Sequence, residues 1–220
     1  AHDGDNQIVP GLAETWEYDD STYTYTFHLR DGVKWHDGEP VTASDVKFTI
    51  EAIMDPDNGS ENAPNYEDVQ EITVVDEQTV AFRLAEPNVA FLEYMTMAIL
   101  PQHLLEGEDM QESDFFRSPV GTGPYKVVSW TPQQSVVLEA NPSYWGEAPH
   151  IANVELRVLP EATTQASSLR AHDVDLILAA NEQVAAFEGD TAFQIMQYPM
   201  NGVQLMAMNC ANEALADVRV

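Results

Sequence analysis

The residues of this chain with chemistry to offer are six histidines, one cysteine and 37 carboxylates. The histidines are His2, His28, His36, His103, His150 and His172, and no two have the i, i+4 spacing that puts two imidazoles on one helix face to hold zinc. Cys210 joins none of them in a metal-ligand pattern, and a lone cysteine allows no internal disulfide. His36-Asp37 has the composition of a catalytic pair, an imidazole beside a carboxylate that could orient it. It lies in a tight turn before Gly38 and Pro40, however, where a hydrogen-bonded turn is the favoured reading. No Gly-x-Ser-x-Gly elbow or cysteine–histidine context supplies a nucleophile. Carboxylate pairs are frequent, but at this acidic density they arise by chance and mark no acid–base pair. Asp55, Asp57 and Asn58 invite a calcium loop, yet Gly59 stands where a ligand is needed, Ser60 replaces the turn glycine and Tyr66 occupies the bidentate Glu position. Gly121-Thr122-Gly123 could open a phosphate cradle, but Pro124 and a strand follow where a helix N-terminus is required. Tyr23, Tyr25, Trp35, Tyr125, Trp130, Tyr144 and Trp145 could stack on a ligand, and core packing is the default for each. These residues predict no catalytic site, no metal and no cofactor.

The elements that position them follow from periodicity. Thr22 to Arg30 alternates, with Tyr23, Tyr25, Phe27 and Leu29 on one face and Thr24, Thr26 and His28 on the other, which is the pattern of a half-buried strand. Trp16 centres a preceding strand, with an acidic turn at Asp19, Asp20 and Ser21 between the two. Val33-Lys34-Trp35 is expected as a short third strand between turns at Asp31-Gly32 and Asp37-Gly38. Thr42 and Asp45 form a capping-box-like start to a helix whose apolar positions Ala43, Val46, Ile50 and Ile53 run to about Met54. A polar loop follows to Asn65, with Asn58-Gly59-Ser60 a glycosylation sequon. Val69–Asp76 and Gln78–Leu84 read as a hairpin, the stretch after Asn88 as a short buried helix and an extended piece, and Pro101 as the opening of a helical turn to Leu105. Tyr125–Thr131 and Ser135–Ala140 form a second hairpin. A strand at Val154–Val158, a helix at Glu161–Ala171, a strand at Val174–Leu178 and a helix capped by Asn181 and running to about Phe187 come next. Strands near Phe193–Tyr198 and Val203–Met208 close a β-α-β-α-β-β alternation that argues for an α/β domain with largely buried strands.

Composition narrows the function. With 9 basic residues against the 37 carboxylates the net charge is −28, which excludes nucleic-acid binding as a main function, since that needs a basic footprint. The excess is spread along the chain as a solvated surface, and with so little lysine it suggests a high-salt, halophilic setting in which screening relieves self-repulsion. No run of eighteen apolar residues could span a membrane, and the start of the chain lacks the basic and apolar regions of a signal peptide.

Three stretches carry a resemblance. Gly11 to Lys47, GLAETWEYDDSTYTYTFHLRDGVKWHDGEPVTASDVK, is similar over more than thirty residues to a segment of the family 5 extracellular solute-binding proteins. Gly121 to Tyr125, GTGPY, and Asn141 to Trp145, with its N-x-x-Y-W pattern, match two further hallmarks of that family. The resemblance implies the receptor of an ABC importer, not an enzyme, with a mixed α/β fold of the type II periplasmic-binding-protein kind (cluster C). It implies a small β-rich lobe over residues 1–117 and part of the main α/β lobe over residues 118–220, with a second large lobe beyond. Both ends would then be cut, and the receptor would be extracytoplasmic and lipid-anchored through a segment upstream. Its partners would be a peptide or similar small solute, a nickel chelate or sugar being the variants, and the membrane permease; it would act as a monomer. The same resemblance offers Tyr94, Met95, Met97, Gly121, Thr122, Gly123 and Tyr125 as ligand-binding candidates, with core filling the plainer reading of the two methionines. Where relatives show Gly-Glu-Val-Asp this chain has His172-Asp173-Val174-Asp175, so a turn glycine is lost. The rival readings are a secreted hydrolase with a β-rich accessory domain and a surface interaction module.

Overall fold

Alternation is obeyed to the residue in the second strand: Tyr25, Phe27 and Leu29 are buried and their neighbours only partly so. The computed structural model, which describes residues 1–179 and 181–197, places this strand, β2 (Thr24–Leu29), between β1 (Ala13–Asp19) and β4 (Thr79–Leu84). With β3 (Val69–Asp76) on the far side of β4, the four make an antiparallel sheet in the order β1-β2-β4-β3. The register sets Tyr25 opposite Phe82 and Phe27 opposite Val80. One face of β2 and β4 is therefore a continuous apolar surface, on which α1 (Ala43–Met54) lays Ala43, Val46, Ile50 and Ile53. Tyr66 and Phe91 complete this core, and Phe82 at its centre is wholly buried. Complete burial of one such side chain contributes about 2–3 kcal/mol.

The helix start is the capping box that the sequence predicts. The Asp45 carboxylate accepts from the Thr42 amide at 2.8 Å and from the Thr42 hydroxyl at 3.3 Å. Its other oxygen accepts from the amide of Gln102 at 2.9 Å, at the head of the short helix α3 (Gln102–Leu105), which follows α2 (Phe91–Tyr94). At the other end of α1, Asn58 donates from its side-chain amide to the Ala52 carbonyl at 2.8 Å. The sequon asparagine is thus engaged in holding the helix end.

A second, three-stranded antiparallel sheet is built from β5 (Tyr125–Thr131), β6 (Ser135–Ala140) and β7 (Asn153–Arg157), in that order. Two helices follow, α4 (Ala162–Arg170) and α5 (Asn181–Val184). The result is the expected mixture of helix and strand, with corrections in detail. Val33–Trp35 is not a strand: a single bridge joins Lys34 to Pro40, because the chain doubles back tightly through Gly38. Val174–Leu178 forms no strand either. No neighbouring strand among the described residues pairs with it, and Leu176 and Leu178 are 77% and 74% exposed. A strand is stabilised by a partner's hydrogen bonds and a covered face, and hydrophobicity alone supplies neither. Asn181 lies within α5 rather than capping it, and α5 ends at Val184. Residues 193–197 are not in a strand; Tyr198, the expected strand Val203–Met208 and Cys210 lie outside the described residues.

Candidate functional site

A cavity of about 360 Å³ opens where the first sheet, α1, the 92–99 segment and the glycine loop converge. Trp16 from β1, Phe27 and Leu29 from β2, and Val46 and Ile50 from α1 form its floor. Met95 and Met97 line one wall; Thr122, Tyr144 and Trp145 line another. No acidic, basic or histidine side chain is among the lining residues. The polar side-chain groups are few, and two of them are already committed. Thr49 donates its hydroxyl to the Asp45 carbonyl and accepts from the Leu100 amide, and the Thr96 hydroxyl donates to the Glu93 carbonyl. The Trp145 indole N–H is shielded from solvent and has no acceptor among the described residues. Its ring is held by Arg30, whose guanidinium lies 4.8 Å from the ring centroid while also bonding Glu14 at 2.6 Å.

Of the seven ligand-binding candidates, Met95, Met97 and Thr122 line this cavity, and Tyr94, Gly121, Gly123 and Tyr125 do not. Those four have structural partners. The Tyr94 carbonyl accepts from the Tyr66 hydroxyl at 2.7 Å, and the Tyr125 hydroxyl donates to the Ile151 carbonyl at 3.0 Å. The Met97 sulfur lies 2.9 Å from the same Tyr66 hydroxyl, and burial pushes the phenol up to about 12. Trp145 and Arg30 are the site residues that sequence reasoning did not assign. The N-x-x-Y-W pattern gave a signal for Trp145; nothing in the sequence pairs it with an arginine 115 residues earlier.

The glycine loop is held by His36. The His36 amide donates to the Gly121 carbonyl at 2.8 Å, the Gly121 amide to His36 Nδ1 at 3.1 Å, and His36 Nε2 lies 3.0 Å from the Gly123 carbonyl. Gly123 also accepts from the Asn141 side chain at 3.2 Å, which ties in the segment leading to Tyr144 and Trp145. Lys126 donates to the His36 carbonyl at 2.8 Å. Burial, together with the Lys126 ammonium, holds the His36 ring below the ordinary histidine range. The expected hydrogen-bonded turn at His36-Asp37 is therefore also a fastener between two distant stretches. Asp37 bonds His103 Nε2 at 2.7 Å. Burial raises the Asp37 carboxyl, but the bonds from His103 and from the Glu39 amide outweigh it and leave it lowered. Within the described residues, no hydroxyl or thiol is hydrogen-bonded to the His103 ring, so this dyad lacks the third member of a nucleophilic triad.

An apolar chamber with sparse polar groups has the character of a small-molecule pocket. Residues 7–220 match the family described as "Bacterial extracellular solute-binding proteins, family 5 Middle", and the chain belongs to that family. It is 32% identical over 195 residues to a putative ABC transporter peptide-binding protein of Brucella ovis, covering 86% of this chain and 37% of that protein. NikZ of Campylobacter jejuni, solved with Ni(L-His), is similar with a TM-score of 0.83 and 31% identity, over 87% of this chain and 39% of NikZ. The oligopeptide-binding protein AppA of Bacillus subtilis, solved with a nonapeptide, gives a TM-score of 0.80 and 28% identity over 86% and 39%. The fold expected from the hallmarks is thus the fold found, and the chain spans well under half the length of these relatives.

Proposed function

We propose that this chain is part of the solute receptor of an ABC importer, capturing a peptide-like solute outside the membrane for delivery to the permease. The observation that carries this reading is the cavity: its apolar walls and two adaptable methionines suit the uncharged side chain of an organic solute. The Brucella relative's description and AppA's nonapeptide support a peptide. NikZ's Ni(L-His) is the competing precedent, but the lining side chains here supply no imidazole or carboxylate to a metal chelate. In this reading the first sheet and α1 belong to a small lobe over residues 1–117, and the second sheet belongs to the main lobe from residue 118. The cavity that takes the solute's side chain lies where these two lobes meet, and hinge closure of a further lobe over it presents a closed surface to the permease. A hydrolase would need a nucleophile beside the His103–Asp37 dyad.

The test is calorimetric titration of the full-length receptor with short peptides and with Ni(L-His). Apolar tripeptides are expected to bind, and Trp145→Ala to weaken them about thirtyfold, a loss of about 2 kcal/mol typical of a buried aromatic anchor. Preference for Ni(L-His), unaltered by Trp145→Ala, would overturn the reading. The 220-residue chain alone is expected to bind at least about tenfold more weakly than the receptor, because opposing contacts are absent.

A further inference from the structure

We propose that His36 is a positioning residue: its neutral ring clamps the glycine loop and so sets Thr122 into the cavity wall, and acid releases the clamp. The functional half of this rests on the reading of the cavity as the solute site; the clamp itself rests on hydrogen-bond roles. Nδ1 faces the Gly121 amide, a donor, and must present a lone pair. Nε2 faces the Gly123 carbonyl, an acceptor, and must carry the proton. A single tautomer satisfies both partners, and the His36 amide closes the exchange on the Gly121 carbonyl. Thr122 stands between the two clamped glycines and is the loop residue that lines the cavity.

Protonation would place an N–H on Nδ1 directly against the Gly121 N–H at 3.1 Å, two donors with no acceptor between them. The charged groups around the ring favour the neutral state. From β5, Lys126 brings its ammonium to the His36 carbonyl. On the same turn Asp37 favours the charged ring, but its carboxylate is bonded to His103 of α3. Asn141, which shares the Gly123 carbonyl, is neutral. A ring kept neutral by the fold contributes stability that is complete above its unfolded pKa near 6.5 and declines as pH falls below it. The same decline should unfasten Gly123 from Asn141's segment and loosen both walls that the loop joins.

The experiment is amide exchange of the full-length receptor between pH 7.5 and 5, corrected for intrinsic rates, with ring nitrogen shifts read in parallel. Gly121 protection in the native protein should fall by up to about tenfold per pH unit once the ring protonates. His36→Asn keeps an acceptor for Gly121 and cannot be protonated, so its protection should be flat with pH. His36→Phe should lack the protection throughout. A native ring protonated on Nδ1 at pH 7.5 would overturn the clamp without any variant. Gly121 protection that is independent of pH in the native protein, or an equal fall in His36→Asn, would overturn it as well. Titration with trileucine separates the two readings. Affinity that falls with pH in the native protein and not in His36→Asn supports the link to the cavity. Unchanged affinity while the clamp opens overturns that link. No binding at either pH, with the clamp intact, overturns trileucine capture at the cavity and leaves the clamp standing.

Discussion

Asp45 shows how much one buried side chain can carry when every lone pair has work. It is 4% exposed, and it caps the first turn of α1 while bonding the amide that opens α3. Replacing it with alanine strands two backbone amides in the interior, so Asp45→Ala should cost about 3 kcal/mol by urea denaturation. Asp45→Asn retains one acceptor oxygen and should lose less; equal losses would show that the bond it retains contributes nothing. Thr49, one turn later, bonds the Leu100 amide at 2.7 Å, so α1 fixes the 100–102 strap through two polar side chains on an otherwise apolar face. Hydrogen bonds of this kind appear in sequence only as polar interruptions of a hydrophobic stripe.

Elements end for reasons as local as those that start them. The last turn of α4 closes with the His172 amide on the Leu169 carbonyl and the Asp173 amide on the Ser168 carbonyl, the paired bonds of a Schellman motif. That motif needs a left-handed residue, and His172 adopts φ 59° there. The chain keeps the turn that its relatives' glycine would make, although a histidine bears the conformational cost of about 1–2 kcal/mol. His172→Gly should therefore stabilise the protein by about 1 kcal/mol, part of the gain being returned as unfolded-state entropy, and raise Tm by roughly 2–4 °C. A lower Tm would mean that the imidazole makes a compensating interaction. The hairpins behave more simply: β5 and β6 span the residues that alternation and turn composition assign them, since their pairing is local.

At the scale of the whole molecule, charge matters most. A net charge of −28 is set against few cations, and the ion pairs among the described residues are surface pairs such as Arg83–Glu71 and Lys47–Glu51. Exposed pairs contribute about 0–1 kcal/mol each, so their loss at high salt is small beside relief of the general repulsion. Raising NaCl from about 0.1 to about 1 M shortens the screening length from about 10 Å to about 3 Å. Thermal melts over that range should show Tm rising; a fall would mean that specific ion pairs outweigh self-repulsion. The second feature at this scale is the join between the sheets. It combines packing of Val120 and Trp145 on the Val33, Trp35 and Val41 cluster, the Arg30 guanidinium over the Trp145 ring, and the bonds of His36 and Lys126 with the glycine loop.

The sequence by itself determined the family, the two hairpins and the capped helix, because those features depend on residues close together in the chain and on periods that backbone geometry enforces. Its family resemblance offered Met95, Met97 and Thr122 only as three of seven candidates, with core filling the plainer reading of the methionines. Tertiary structure alone decided that these three share one cavity, that Tyr94, Gly121, Gly123 and Tyr125 are engaged elsewhere, and that Arg30 backs Trp145. It decided too that Val174–Leu178, apolar enough for a strand, pairs with none among the described residues. The reason is common to all of these. A cavity, a cation above a ring and a strand's partner are relations between residues tens of positions apart, and local spacing holds no record of which distant groups the fold will bring together, as it brings Arg30 to 4.8 Å from the Trp145 ring.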